Sequence, residues 1–201
     1  MMTGKLHKWL GVILLLPLLG WCATGAIFLF QPGYGDAYKK LTPRYYSLPG
    51  LSIPSGRNEW LEVRQVQTVL GTHLLAKTKD GWQQYNADTM AKRGLPASAD
   101  IKELLEDAIS VDQKRYGESV AKSADGYVTA SGVRLSFDWD TLSIEQYGKD
   151  RALIDALYDI HYLRWTGNRK VDNVVAIMGL CCLVLTTVLG VTLIFSRRSV
   201  R

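Results

Sequence analysis

Residues 157–165, LYDIHYLRW, place His161 beside Tyr158, Tyr162, Arg164 and Trp165, shortly before a long apolar run. The chain has only three histidines. An imidazole in such a setting can ligate haem iron, move a proton, or serve as a hydrogen-bonded anchor at a membrane surface. The helical period over 150–167 puts Leu153, Leu157, Ile160, His161 and Arg164 along one apolar stripe, so that His161 shares the apolar face with Leu157 and Ile154, with Asp155 and Asp159 elsewhere. Gly167 and Asn168 are expected to break that helix. A packed interfacial histidine and a cofactor-binding histidine both fit this pattern.

Other chemistry-bearing groups are sparse. Asp138 and Asp140 in FDWDT share one face of a strand, a spacing that suits acid–base work, a cation or a simple turn. His73 has no Cys or spaced second His near it and reads as a surface or hairpin residue. The sequence carries no HExxH motif, no Gly-rich phosphate loop and no serine-nucleophile motif. No catalytic residue and no metal site is expected. The net charge of +5 is partly contributed by short basic ends, and no basic patch interleaved with aromatics argues for nucleic acid.

Two runs must position these groups. Trp9–Phe30 (WLGVILLLPLLGWCATGAIFLF) and Val174–Phe195 (VVAIMGLCCLVLTTVLGVTLIF) each hold 22 uncharged residues. At 1.5 Å per residue each reaches roughly 33 Å, enough for a ~30 Å hydrocarbon core. The first run exceeds a signal-peptide core and lacks a small-x-small cleavage site, so it is expected to stay as an anchor. Lys5 and Lys8 flank one run, and Arg197, Arg198 and Arg201 flank the other, without acids. Basic flanks stay cytoplasmic, so residues 31–173 are expected to be exported. Cys22, Cys181 and Cys182 all lie inside the apolar runs, which leaves the exported part without a disulfide. Cys182, Thr186 and Gly190 form one small-residue stripe, and Gly20 with Thr24 another, both suited to close helix packing. Tyr158, Tyr162, Arg164 and Trp165 fit a headgroup-level belt.

Between the spans, residues 31–58 are rich in Pro and Gly and read as a linker, with Tyr34, Tyr38, Tyr45 and Tyr46 able to touch headgroups or a partner. Residues 61–70 alternate like a strand, with a slip that signals a bulge or an early end. Asp80-Gly81 and Asp125-Gly126 predict hairpins. Residues 97–110 predict a helix capped by Ser98 or Asp100, with Ile101, Leu104, Leu105 and Ile109 on one stripe. LAKTKDGW (75–82) matches VAKSADGY (120–127), and YNADT (85–89) matches FDWDT (137–141). Internal repetition and convergent turn chemistry both explain the match. The expected fold is α+β: a two-helix transmembrane hairpin carrying a domain of antiparallel strands and a helix. The expected division is 1–8, 9–30, 31–58, 59–149, 150–167, 174–195 and 196–201.

The ends carry a resemblance. Leu6, His7, Trp9, Leu10, Gly11, Thr24 and Gly25 resemble the Leu-His-Arg-Trp-Leu-Gly…Thr-Gly opening of PepSY-associated transmembrane proteins, with Lys8 for the arginine. Leu157, His161, Gly167, Gly190, Arg197 and Arg198 resemble that family's closing segment, with Tyr158 where its first paired histidine stands. The strand–Asp-Gly–strand units resemble PepSY modules. Larger members look like inner-membrane haem b proteins that reduce ferric siderophores in the periplasm, with about four spans where this chain has two. The resemblance implies haem ligation only at His7 and His161, with Met178 as a further candidate ligand one helical turn into the second span.

The expected topology puts His7 and His161 on opposite faces of the bilayer, too far apart for one iron. No cofactor is therefore expected for one chain alone, and haem b only if shared with a partner or a second copy. The first functional expectation is a non-catalytic inner-membrane accessory subunit that contacts lipids and either a larger complex in respiration or iron reduction or another copy of itself. The second is a haem b electron-transfer protein for periplasmic ferric-siderophore reduction. A third, by analogy with protease propeptides, is a PepSY protease inhibitor or regulator.

Overall fold

The computed structural model describes residues 2–48, 50 and 58–198. In chain order the elements are helix α1 (Met2–Phe30), one turn of helix α2 (Tyr34–Ala37), and strands β1 (Glu62–Thr68), β2 (Gly71–Thr78) and β3 (Gly81–Tyr85). Helix α3 (Ser98–Ile109) leads through a 3-10 turn into α4 (Gln113–Tyr116). Strands β4 (Val120–Ser123), β5 (Gly126–Thr129), β6 (Arg134–Asp138) and β7 (Ser143–Tyr147) precede helices α5 (Lys149–His161) and α6 (Arg169–Arg198). The chain divides into a helical unit, Met1–Tyr34 with Asp150–Arg201, and a middle domain, Gly35–Lys149. The expected α+β class, with two long apolar helices around antiparallel sheets, is what the structure shows.

In the helical unit, Thr3–Phe30 and Arg169–Phe195 are long and apolar enough to cross a membrane. Leu16, Leu29, Ile177 and Val184 point outward with nothing apolar over them. Water penalises such a surface and lipid does not. Helix α5 ends at His161, earlier than the sequence suggests, and Gly167 is not what stops it. Leu163 takes a left-handed conformation (φ 55°). Its N–H donates to the Ile160 carbonyl at 3.2 Å, and the Arg164 N–H donates to the Asp159 carbonyl at 2.8 Å. This double bond pattern closes the helix in the way glycine usually does. A leucine tolerates it because its side chain is buried, with Cδ1 3.2 Å from where a Cβ on Gly179 of α6 would sit. The packing of Leu163 offsets a backbone cost of about 1–2 kcal/mol. Asn168 then starts α6, its Oδ1 accepting the Lys170 N–H at 3.0 Å.

The buried face of α5 centres on Ile154 and His161; Leu153 and Ile160 are exposed, so the apolar stripe is rotated from the expected one. Arg164 lies beyond the helix end.

The middle domain contains two antiparallel sheets, β1-β2-β3 and β4-β5-β6-β7. Strand β1 pairs without interruption from Glu62↔Lys77 to Thr68↔Gly71, so the slip in its alternation marks an early end and not a bulge. In both Asp-Gly hairpins the positive φ falls on the glycine alone, Gly81 and Gly126, and not on the aspartate. A Cβ on Gly126 would also lie 2.8 Å from the Leu135 carbonyl oxygen, so this turn admits no other residue without strain. Helix α3 buries Ile101, Leu104, Leu105, Ala108 and Ile109 in a core shared with Leu75, Leu135, Trp139 and Ile144. Its first turn has no side-chain cap; Ala97 occupies the N-cap position in place of Ser98 or Asp100.

Residues 35–48 are built into this domain instead of running free as a linker. Ala37 and Leu41 are buried, Leu41 bridges Ile144, and Tyr46 bridges Gln67. The Tyr46 hydroxyl donates to Asp107 at 2.7 Å, so it faces the domain and not headgroups. Pro49 and residues 51–57 of the expected linker lie outside the described residues.

The paired sequence stretches share local geometry. Asn86 Oδ1 accepts the Asp88 N–H and Asp138 Oδ1 accepts the Asp140 N–H, each at 2.9 Å. Met90 and Leu142 follow with positive φ, and the chain returns as Tyr85↔Lys92 and Phe137↔Ile144. Asp138 and Asp140 thus build a turn. The second unit carries one hairpin more than the first, since β5 and β6 separate the two matched stretches.

Candidate functional site

The helical unit holds two of the three histidines, and each is fixed by a different mechanism. Trp21 and Thr24 sit one turn apart on α1 and face the end of α5. The Trp21 indole Nε1 donates to the His161 carbonyl at 2.7 Å. That carbonyl is one of the four at a helix end with no intrahelical partner. The Thr24 hydroxyl, in a residue only 3% exposed, donates to the Gly20 carbonyl at 2.6 Å and lies 2.8 Å from His161 Nδ1. A hydroxyl has one proton, so Thr24 accepts from His161 and Nδ1 carries the hydrogen. Phe28 meets the imidazole edge-on at 5.1 Å and stacks on Tyr158 at 4.4 Å. Main chain and side chain of His161 are therefore both held by α1, and Nε2 keeps its lone pair with no partner among the described residues.

His7 lies at the other end of the pair. Its Nδ1 is 3.1 Å from the Thr186 carbonyl, which can only accept, so this imidazole too carries its hydrogen on Nδ1. Gly190 makes room for it: a Cβ there would lie 3.2 Å from His7 Cε1. The Thr186 hydroxyl donates back to the Cys182 carbonyl at 2.8 Å. The two small-residue stripes thus meet this chain's own side chains. A Cβ on Gly20 would lie 4.0 Å from Ile160 Cγ2, Thr24 holds His161, and Thr186 with Gly190 receives His7.

The structure does not bring the two histidines together. His7 is part of α1's first turns, while His161 sits against Thr24 further along the same helix. Those positions are about 25 Å apart along the axis. Met178 is 61% exposed on α6. The belt residues are placed at the α5 end: Tyr158 stacks on Tyr162 at 6.1 Å, Arg164 lies over the Tyr162 ring at 4.9 Å, and Trp165 is exposed. Sequence reasoning missed Trp21 and Phe28 as partners of His161. The signal was present, since Trp21, Thr24 and Phe28 share one face at i, i+3 and i+7.

The donor set bears on haem. Each imidazole offers one Nε2 lone pair suited to an axial bond, but a bis-histidine haem needs two on one iron. One chain supplies a single imidazole at each level.

Replacing Thr24 by valine keeps the shape and removes the acceptor for His161. The expected result is a loss of about 1–2 kcal/mol in thermal stability in detergent, with Thr24→Ser close to wild type. A valine variant as stable as wild type would show that the bond does not hold His161.

His73 is a separate case: of the two expectations, a surface or a hairpin residue, it is the second, paired with Val66 across the β1–β2 hairpin, and its side chain points into the core. It is 0% exposed on β2. Thr68 Oγ1 lies 2.7 Å from its Nε2 and Gln84 Oε1 lies 2.8 Å from its Nδ1. Gln84 Nε2 in turn donates to the Trp139 carbonyl. Thr68 accepts the Leu70 N–H and donates to Nε2, and Nδ1–H donates to Gln84, so every proton has a place only if the ring is neutral. Burial first, and the nearby Arg93 guanidinium after it, push the His73 pKa below its usual value, against the opposing pull of Gln84. A one-residue change of register would put His73 on the opposite face; on β2 it shares the core side with Leu75. No cluster of three or more metal-ligating side chains occurs among the described residues.

Two helices long and apolar enough to cross a membrane, joined through a folded α+β domain, define a two-span membrane protein. The chain belongs to the family described as PepSY-associated TM region, whose pattern matches residues 4–200, nearly the whole length. No curated protein and no solved structure matches it.

Proposed function

We propose that this chain is an accessory or interaction subunit of the bacterial inner membrane. In this reading its spans anchor the PepSY-like middle domain in the periplasm, both ends of the chain are cytoplasmic, and residues 31–173 are exported. It binds or stabilises a larger membrane complex, in respiration or iron reduction, or another copy of itself. The observation that supports a non-catalytic role is the separation of the histidines: His7 and His161 are each docked on their own chain, at opposite ends of α1. A single copy therefore has no site at which two imidazoles meet one iron.

A second reading, a haem b electron-transfer protein for ferric-siderophore reduction, is favoured by one feature. Both imidazoles hold their hydrogen on Nδ1, which leaves Nε2 available. Haem bound there would supply one-electron chemistry, and His161 and His7 would orient it through their fixed rings, with ligands from a partner or a second copy.

One purification distinguishes the readings. The protein is extracted from membranes and its dithionite-reduced minus oxidised spectrum is recorded. A colourless protein that co-purifies with a larger complex supports the subunit reading. A haem b Soret and α band that vanishes in His161→Ala overturns it.

A further inference from the structure

The turn between α5 and α6 forms a cleft of about 490 Å³, lined by Asp159, Arg164, Gly167, Arg169, Asp172 and Asn173. Ligand sites fall in the range of about 300–1,000 Å³. The cleft exists because the chain turns twice in quick succession, at Leu163 (φ 55°) and at Gly167 (φ 72°), before α6 begins. Asp172 is part of the frame: its Oδ1 accepts the Thr166 N–H at 3.0 Å and the Thr166 hydroxyl at 2.8 Å. Arg164 is steadied by the Tyr162 ring.

The remaining charges are not engaged. Asp159, Arg169 and Asn173 are exposed, and their side chains have no hydrogen bond or ion pair among the described residues. An aspartate and an arginine lining one cleft would ordinarily close on each other if they were in reach. They do not, so the lining presents both signs, the Arg164 and Arg169 guanidiniums and the Asp159 carboxylate, together with the Asp172 carboxylate that already accepts from Thr166. The cleft also sits at the end of an apolar span, Arg169–Phe195, beside Tyr162 and Trp165. That is the level at which lipid headgroups lie.

We propose that this cleft binds the headgroup of a zwitterionic phospholipid bearing a primary ammonium, as in phosphatidylethanolamine. The phosphate diester lies against Arg164 and Arg169, whose planar forks match two phosphate oxygens. The ammonium, with three N–H donors, lies against the Asp159 carboxylate and the Asn173 amide oxygen. A phosphatidylcholine headgroup has no N–H to donate, and none of the described residues that line the cleft carries an aromatic ring to receive its methyl groups, the nearby Tyr162 ring being covered by Arg164. A net-anionic lipid satisfies the arginines but leaves Asp159 facing negative charge. The site does not depend on the haem or subunit readings, nor on which side of the membrane the cleft faces.

The test uses the full chain, purified and delipidated in detergent, with thermal unfolding followed as defined lipids are titrated in. Dioleoylphosphatidylethanolamine is expected to raise the midpoint saturably, with half-saturation at about tenfold lower concentration than the phosphatidylglycerol or phosphatidylcholine analogues. Arg169→Gln is expected to weaken the response to every phospholipid. Asp159→Asn is expected to weaken the phosphatidylethanolamine response alone, down to that of phosphatidylglycerol. Both side chains are exposed and unbonded, so neither change should move the lipid-free midpoint; if Arg169→Gln does, Asp159→Asn decides. Equal responses to the three lipids in the wild type would overturn the proposal. So would a phosphatidylethanolamine response that survives in Asp159→Asn. An equal effect of soluble phosphoethanolamine would assign the cleft to a soluble ligand and overturn the lipid assignment.

Discussion

Replacing His73 by alanine is expected to destabilise the middle domain by about 3–5 kcal/mol, measured by denaturant unfolding of the full chain in detergent. The loss has two parts. A fully buried imidazole leaves a cavity next to Trp139, whose ring it meets edge-on at 5.4 Å. The Thr68 hydroxyl and Gln84 Oε1 also lose their partner inside a core without water access. Leaving a buried polar group unmatched costs about 1–3 kcal/mol each. A loss below about 1 kcal/mol would show that the network adds little to the fold.

The same residue makes stability depend on pH. Its folded pKa lies below the ordinary histidine value of about 6.5, so the unfolded chain takes up the proton first as pH falls. The contribution of His73 is fully present above about pH 6.5 and is lost as pH drops through the folded pKa. The expected observation is a fall in stability on acidification below that value, with the slope reduced in His73→Ala. A wild type whose stability is flat from pH 7 to pH 5 would contradict the neutral ring.

Replacing Gly190 by leucine is expected to separate the spans at the His7 end. A Cβ alone would sit 3.2 Å from His7 Cε1, and three further carbons have no room beside the ring. The imidazole must leave, and its bond to the Thr186 carbonyl goes with it. Overpacking of this kind costs about 1–3 kcal/mol. The specific readout is the ¹⁵N spectrum of labelled histidine: the His7 signal should lose its single Nδ1–H tautomer while that of His161 is unchanged. A His7 signal that keeps its tautomer would show that the ring does not depend on Gly190.

The elements that follow strict periodicity were legible from sequence. Two uncharged 22-residue runs and the Ile101-Leu104-Leu105-Ile109 stripe allow only helices of the kind observed. His161 on the apolar side of α5 was legible too, because its neighbours set the face. What was not legible depends on long-range pairing. His73 is a hairpin residue as read, but its burial is not legible until Gln84 and Thr68 are placed around it, because a buried polar side chain is recognised only by its partners. Leu163 as a helix terminator breaks the local preference for glycine, and its compensation comes from α6. The chain over 35–48 has a linker's composition, yet Leu41 pairs with Ile144 about a hundred positions later. The small-residue stripes on the two spans were visible, but their occupants were side chains of the same molecule.

The bond from the Trp21 indole to the His161 carbonyl joins positions separated by 140 residues. A ribosome adds about 5–20 residues per second, so the first span waits on the order of ten seconds before its acceptor has been made. Through that interval the Trp21 indole N–H has no His161 carbonyl to meet. Completion of the helical unit is therefore a late event in synthesis, set by translation of the segment between the spans.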